Sequence, residues 1–126
     1  MTDLDRDIAT DETERLIASN KVEGTSVFDA QGEKLGTIYN FMVNKDSGQV
    51  EYAVLQFGGL FGLGADYYPL PWEKLSYDVD EGGYVVDIDK EALEDAPRYG
   101  DDTEPAYDRA YGEQVYGHYG LTYPAA

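Results

Sequence analysis

The sequence predicts a mainly β protein: a small, closed, six-stranded antiparallel barrel, then a short helix, then a tyrosine-rich C-terminal extension. Three observations carry this expectation. Between Val22 and Asp89, short runs of alternating apolar and polar residues recur, too brief for helices. Asp/Gly turn sequences separate those runs. One glycine-rich stretch, Gly58-Gly59-Leu60-Phe61-Gly62-Leu63-Gly64, interrupts the pattern where a small barrel needs a sharp bend. The 126 residues have room for one domain plus an extension, and 42% hydrophobic content with 12 tyrosines suffices for one compact core.

Residues 1–19 form a polar, acidic segment in which Asp11 and Glu14 suggest a capping box for a turn from Glu12. Thr25-Ser26-Val27-Phe28 reads as the first strand, closed by the turn Asp29-Ala30-Gln31-Gly32. Leu35 to Asn44 reads as a second, longer strand. Its apolar residues change parity between Ile38 and Phe41, which requires a bulge near Tyr39-Asn40. Lys45-Asp46-Ser47-Gly48 supplies a hairpin turn. In Gln49–Phe57, Val50, Tyr52 and Val54 occupy one face and Ala53, Leu55 and Phe57 the other. A strand apolar on both faces must be covered on both, one by the barrel core and the other by a loop, the tail or a second protomer.

Beyond the glycine-rich loop, Tyr67 to Trp72 reads as an extended segment whose Pro69 and Pro71 suit a sheet edge. Trp72-Glu73-Lys74-Leu75 reads as a single helical turn. Leu75, Tyr77 and Val79 then alternate as one half-buried strand, and Tyr84, Val86 and Ile88 as its hairpin partner. Asp89 is a suitable N-cap for a short helix over Lys90–Asp95, stopped by Pro97. The barrel domain thus spans 20–98. Residues 99–126 form an acidic Tyr/Gly-rich extension with six tyrosines, which would cover the outer face of Gln49–Phe57 if it orders.

The formal net charge of −17 makes the surface repel phosphate backbones and anionic lipid, so direct nucleic-acid binding is not expected. No cysteine is present, which excludes disulfides and thiolate chemistry and fits a cytoplasmic location. The N-terminus lacks the pattern of a secretory signal, and no apolar run approaches the ~20 residues of a membrane span.

Gly24-Thr25-Ser26-Val27-Phe28-Asp29, Gly32-Glu33-Lys34-Leu35-Gly36-Thr37-Ile38 and Ser47-Gly48-Gln49-Val50-Glu51-Tyr52-Ala53-Val54 resemble the PRC-barrel family. The glycine-rich loop, Pro69-Leu70-Pro71-Trp72-Glu73 and Gly83-Tyr84-Val85-Val86-Asp87-Ile88-Asp89-Lys90 continue the likeness, so that it runs from about 20 to 97. The family takes its name from the cytoplasmic domain of the photosynthetic reaction-centre H subunit. The resemblance implies a six-stranded barrel-like fold and a role in binding or assembly without intrinsic chemistry. The chain is most similar to the short stand-alone bacterial members. Reaction-centre H subunits have an N-terminal membrane helix that is not seen in this sequence. Ribosome-maturation proteins carry a separate RNA-associated barrel that residues 1–20 do not supply.

The candidate motifs mostly read as architecture. Gly59-x-x-Gly62-x-Gly64 lacks the following helix of a phosphate loop. Asn44-x-Asp46-x-Gly48 lacks the acidic ligands and closing Glu of a calcium loop. Asp78, Asp80, Glu81, Asp87 and Asp89 read as a solvated hairpin face. His118, the single histidine, has no orienting partner nearby in sequence. No catalytic residue, cofactor or metal ligand is assigned. The residues that point to function are aromatic or apolar: Leu60, Phe61, Leu63, Tyr67, Tyr68 and Trp72 in the barrel, and Tyr107, Tyr111, Tyr116 and Tyr119 in the extension. The expected function is a non-catalytic protein-interaction or assembly module that self-associates by burying Phe61, Tyr67, Tyr68 and Trp72. Its alternatives are an RNA- or ribosome-linked accessory and a small-ligand or divalent-cation binder.

Overall fold

The computed structural model describes residues 16–58, 64–88 and 90–124. The turn expected from Glu12, the N-cap Asp89, and Leu60, Phe61 and Leu63 lie outside the described residues. A short helix α1 (Ser19–Val22) leads into β1 (Ser26–Phe28), β2 (Lys34–Val43), β3 (Val50–Gly58) and β4 (Ala65–Pro71). A 3₁₀ turn (Trp72–Lys74) joins β4 to β5 (Leu75–Asp78) and β6 (Gly83–Val86), followed by helices α2 (Lys90–Glu94) and α3 (Arg109–His118).

Side-chain chemistry closes the turns after β1 and β2 where the sequence places them, and the β5–β6 turn earlier than expected. The carboxylate of Asp29, only 2% exposed, accepts hydrogen bonds from the backbone N–H groups of Gln31 and Glu33, each at 2.9 Å. Asn44 Oδ1 accepts from the N–H groups of Asp46 and Ser47, so Asn44-x-Asp46-x-Gly48 is a turn whose side-chain oxygen is already engaged. Asp78 Oδ1 does the same for Asp80 and Glu81 in the β5–β6 hairpin. Each of these is an Asx-type turn, in which a short polar side chain substitutes for a backbone acceptor.

The bulge required by the parity change in β2 is present. Ile38 faces Leu55 and Asn40 faces Val54, so Tyr39 is extra and is turned 48% into solvent. A second register shift, against β1, where Val27 faces Gly36 and Phe28 faces Lys34, leaves Leu35 extra and lets Leu35 and Ile38, which a regular strand would place on opposite faces, both be buried. Close approach of β2 to β3 depends on Gly36, where a Cβ would overlap the carbonyl oxygen of Gln56 and lie 3.1 Å from Leu55 Cδ1. Gly36→Ala is therefore expected to cost about 1–3 kcal/mol by overpacking. A thermal melt should show a drop of several degrees, and an unchanged midpoint would mean the two strands separate without penalty.

Two features of the expected barrel are corrected. The strand order is β4-β3-β2-β1-β6-β5, with no hydrogen bonding between β4 and β5, so the sheet is curled but open. It is also mixed, because β1 pairs with β6 in parallel. Both have one cause. The 3₁₀ turn does not reverse the chain: β5 leaves in the direction in which β4 arrives and joins the opposite edge of the sheet. Alternation of strand direction is lost at that joint, so β6 comes to run the same way as β1. A three-residue link between the two edge strands is possible only in a strongly curled sheet. The β5–β6 hairpin is shorter than expected: the strand ends at Asp78, Tyr77 is 46% exposed, and Val79 lies in the turn at 80% exposure.

Val27, Leu35, Ile38, Leu55, Leu70, Tyr84 and Val86 fill the inside of the curl together with Leu93 and Ala96. In β3, Tyr52, Ala53, Val54 and Leu55 are all at most 2% exposed, so the strand is covered on both faces as its doubly apolar sequence requires. The second cover is the C-terminal region. Among the described residues, no helix is long and apolar enough to cross a membrane.

Candidate functional site

The C-terminal region is anchored first at the outer edge of β4. Tyr67 N donates to Tyr99 O at 2.8 Å and Tyr99 N donates to Tyr67 O at 3.0 Å. Tyr67 therefore turns its N–H away from β3, and by the two-residue period of a strand Pro69 and Pro71 occupy the equivalent positions. Proline has no N–H to present there, so the β4 edge offers little to a further strand.

From Asp108 the chain forms α3, with the Asp108 carboxylate accepting from Tyr111 N at 2.9 Å as N-cap. Gly112, Val115, Tyr116 and Tyr119 recur at helical spacing and are all buried. Gly112 is needed because a Cβ there would strike the ring of Tyr123 at 2.6 Å. His118 Nε2 lies 2.9 Å from the carbonyl oxygen of Ala92, tying α3 to α2.

Tyr52 of β3 is the hub of this layer. Its ring lies 5.3 Å from Tyr107, 5.7 Å from Tyr116 and 6.3 Å from Tyr123. The array continues through Tyr107 to Tyr99, then to Tyr67 at 5.4 Å and the bulge residue Tyr39 at 4.8 Å. Edge-to-face and offset contacts of this kind each add about 0.5–1.5 kcal/mol beyond simple burial. The phenols are held neutral. Burial pushes Tyr111 and Tyr116 up to about 12, and the hydrogen bond from Tyr67 to Asp101, 2.7 Å long, pushes Tyr67 up to about 12. Burial also raises Tyr52, Tyr107, Tyr119, Tyr99 and Tyr123.

Beside the array runs an open groove of about 690 Å³ between the β2–β3 turn, the 3₁₀ turn and the C-terminal segment, with Glu51, Trp72, Glu73, Arg109, Tyr116 and Tyr123 along its walls. Glu51 is held firmly: Tyr123 donates to Oε1 at 2.6 Å and Asn44 Nδ2 to Oε2 at 3.0 Å, while Tyr116 donates to its backbone oxygen at 2.6 Å. Arg109 donates to Pro124 O at 3.1 Å and stacks 5.6 Å from the Tyr123 ring centroid. These groups can bind and orient a ligand through charge, hydrogen bonds and aromatic faces. Among the described residues, no group of three or more His, Asp or Glu side chains comes together as a metal-binding set.

The structure brings Tyr67, Tyr107, Tyr111 and Tyr116 into one array and sets Trp72 across the groove, within 6.3 Å of Phe41 and 5.7 Å of Tyr84. Tyr68 lies apart, under the Arg98 guanidinium at 5.9 Å. Tyr119 packs into the core beside His118. Tyr67 and Tyr68, expected as exposed aromatics, are 8% and 7% exposed, because Tyr99 and α3 close over β4. Among the described residues, the exposed aromatics are Tyr39, Phe57 and Tyr77. Tyr39 could have been found from the parity change that demands a bulge, whereas Tyr77 looked half-buried by alternation. Tyr52, Tyr99 and Tyr123 were not among the sequence candidates.

Residues 14–93 match the family described as PRC-barrel domain. The layer formed by residues 99–124 lies beyond that match. No curated protein matches the chain.

Proposed function

Since the chain belongs to the PRC-barrel family, whose domains mediate protein interactions, we propose that it is a non-catalytic cytoplasmic assembly module that self-associates through the β5 edge of its sheet. One observation carries this reading: the two edges of the open sheet are unlike. The β4 edge is blocked by Pro69, Pro71 and the bridge to Tyr99. β5 is bordered by β6 on one side, and Ser76, Tyr77 and the adjoining Val79 are exposed. An exposed strand edge recruits a further strand through main-chain hydrogen bonds, and apolar side chains beside it add affinity.

A two-fold antiparallel pairing of β5 with its copy suits the charge. It carries the acidic tip of each hairpin, with Asp78, Asp80 and Glu81, to opposite ends of the shared ladder. The net charge of −17 still opposes association. Raising salt from about 0.01 to about 1 M shortens the screening length from about 30 to about 3 Å. Sedimentation velocity should therefore show a dimer whose fraction rises with salt. Val79→Asp, at a position already 80% exposed, should weaken it about tenfold without changing the melting temperature. A chain that stays monomeric throughout, or dimerises equally well as Val79→Asp, would refute self-association by this edge. Residues 20–98 supply the scaffold in this reading, and 99–124 of the C-terminal extension the layer that blocks the other edge.

A further inference from the structure

We infer that the groove between the 3₁₀ turn and the C-terminal segment is a binding site for an alkylammonium group. The walls combine the two features such a cation needs. Trp72 offers an aromatic ring, and Asp46, Glu51 and Glu73 offer three carboxylates against the single guanidinium of Arg109, which covers the ring of Tyr123. Aromatic faces attract cations through the ring quadrupole, most strongly at tryptophan, and the attraction grows where water is partly excluded. The volume, about 690 Å³, lies in the range of small-molecule sites.

The charges in the groove are arranged in an unbalanced way. Glu51 is fixed by Tyr123 and Asn44, both neutral donors, so its position is set while its charge stays uncompensated. Arg109, also on the wall, is already engaged by Pro124 O, the ring of Tyr123 and Glu113 at 3.8 Å. Among the described residues, no lysine or arginine forms an ion pair with Glu51, Glu73 or Asp46. A fixed carboxylate beside an aromatic wall, hydrogen-bonded only by neutral side chains, is preorganised for an incoming amine. The amine can belong to a free aliphatic diamine or to a lysine side chain, and the chemistry of capture is the same. The site does not depend on the β5 edge.

Trp72 is the only tryptophan, so its fluorescence reports directly on the groove. Full-length protein is titrated at fixed ionic strength with putrescine and, separately, with Nα-acetyl-lysine methylamide; butyrate is the anionic control. Saturable change with either amine and none with butyrate is expected, and the tighter of the two amines identifies the source. Glu73→Gln should weaken binding at least about fivefold. Because Glu51 also anchors Tyr123, Glu51→Gln is read only alongside a melt confirming that it folds. The triple change Asp78→Asn, Asp80→Asn, Glu81→Gln removes more charge than Glu73→Gln but leaves the groove intact, and should alter binding less than twofold. No saturable response to either amine would overturn the assignment. So would equal weakening by Glu73→Gln and the hairpin triple, since binding would then follow net charge alone.

Discussion

A chain ending at Arg98 is expected to lose its cooperative unfolding transition, or to melt at least about 20 °C lower than the full-length protein. Removing residues 99 onward deletes the buried side chains of Val115, Tyr116 and Tyr119. It also strips the cover from Tyr52, Val54 and Tyr67 in the sheet. Burial of a large side chain contributes about 1.5–3 kcal/mol, so the loss approaches the whole stability of an ordinary domain, about 5–15 kcal/mol. The deletion additionally exposes the apolar surface around Tyr52, Val54 and Tyr67, and the truncated chain should aggregate with rising concentration. Calorimetry and near-ultraviolet circular dichroism would decide the matter. A truncated chain with a melting temperature within a few degrees of the parent would show that the extension is a dispensable appendage. A milder probe, Tyr52→Ala, should cost about 3–5 kcal/mol by removing the hub that three rings of the extension pack against.

Raising the pH should unfold the protein sharply between about pH 10 and about pH 12. The sign follows from the direction of the tyrosine shifts. An unfolded phenol ionises near pH 10, whereas Tyr67, Tyr111 and Tyr116 are pushed up to about 12 and Tyr52, Tyr107 and Tyr119 are raised as well. Below pH 10 both states keep their phenolic protons and stability is untouched. Above it the unfolded chain releases protons that the folded chain retains, so stability falls as pH rises through the folded values. One fully protected phenol contributes about 1.4 kcal/mol per pH unit. Solvent screening reduces this for the partly exposed groups, yet several together still amount to about 3 kcal/mol per unit. Tyrosinate absorbance and far-ultraviolet circular dichroism should change together. Full tyrosinate absorbance in a protein that keeps its dichroism would mean that the phenols of the array are not held by the fold.

Sequence and structure part company at particular elements, for identifiable reasons. Asp29 and Asn44 each act on backbone groups two to four residues away, so their turns can be read from neighbours alone, whereas the turn after Asp78 comes earlier than the alternation of Tyr77 and Val79 suggested. The bulge at Tyr39 is equally legible, because the pleat has a strict period of two and a parity change admits no other regular solution. The helix α3 was missed although its buried residues keep helical spacing. Gly112 and Gly117 depress helix propensity, and ten residues form no stable helix without tertiary support. That support comes from β3 and β4, dozens of residues upstream. Tyr67 and Tyr68 looked like an exposed aromatic pair for the same reason: what buries them is distant in sequence.

Local patterning thus determined the strands, the turns after β1 and β2, the bulge, the family and the need for a second cover on β3, since each depends on periodicity or on side chains reaching adjacent backbone. Tertiary structure alone decided that the sheet stays open, that β1 and β6 run parallel, and that the cover is the chain's own C-terminal layer. Those outcomes hang on the direction in which one 3₁₀ turn releases the chain and on rings far apart in sequence meeting around Tyr52. Neither is a property of any short window of residues.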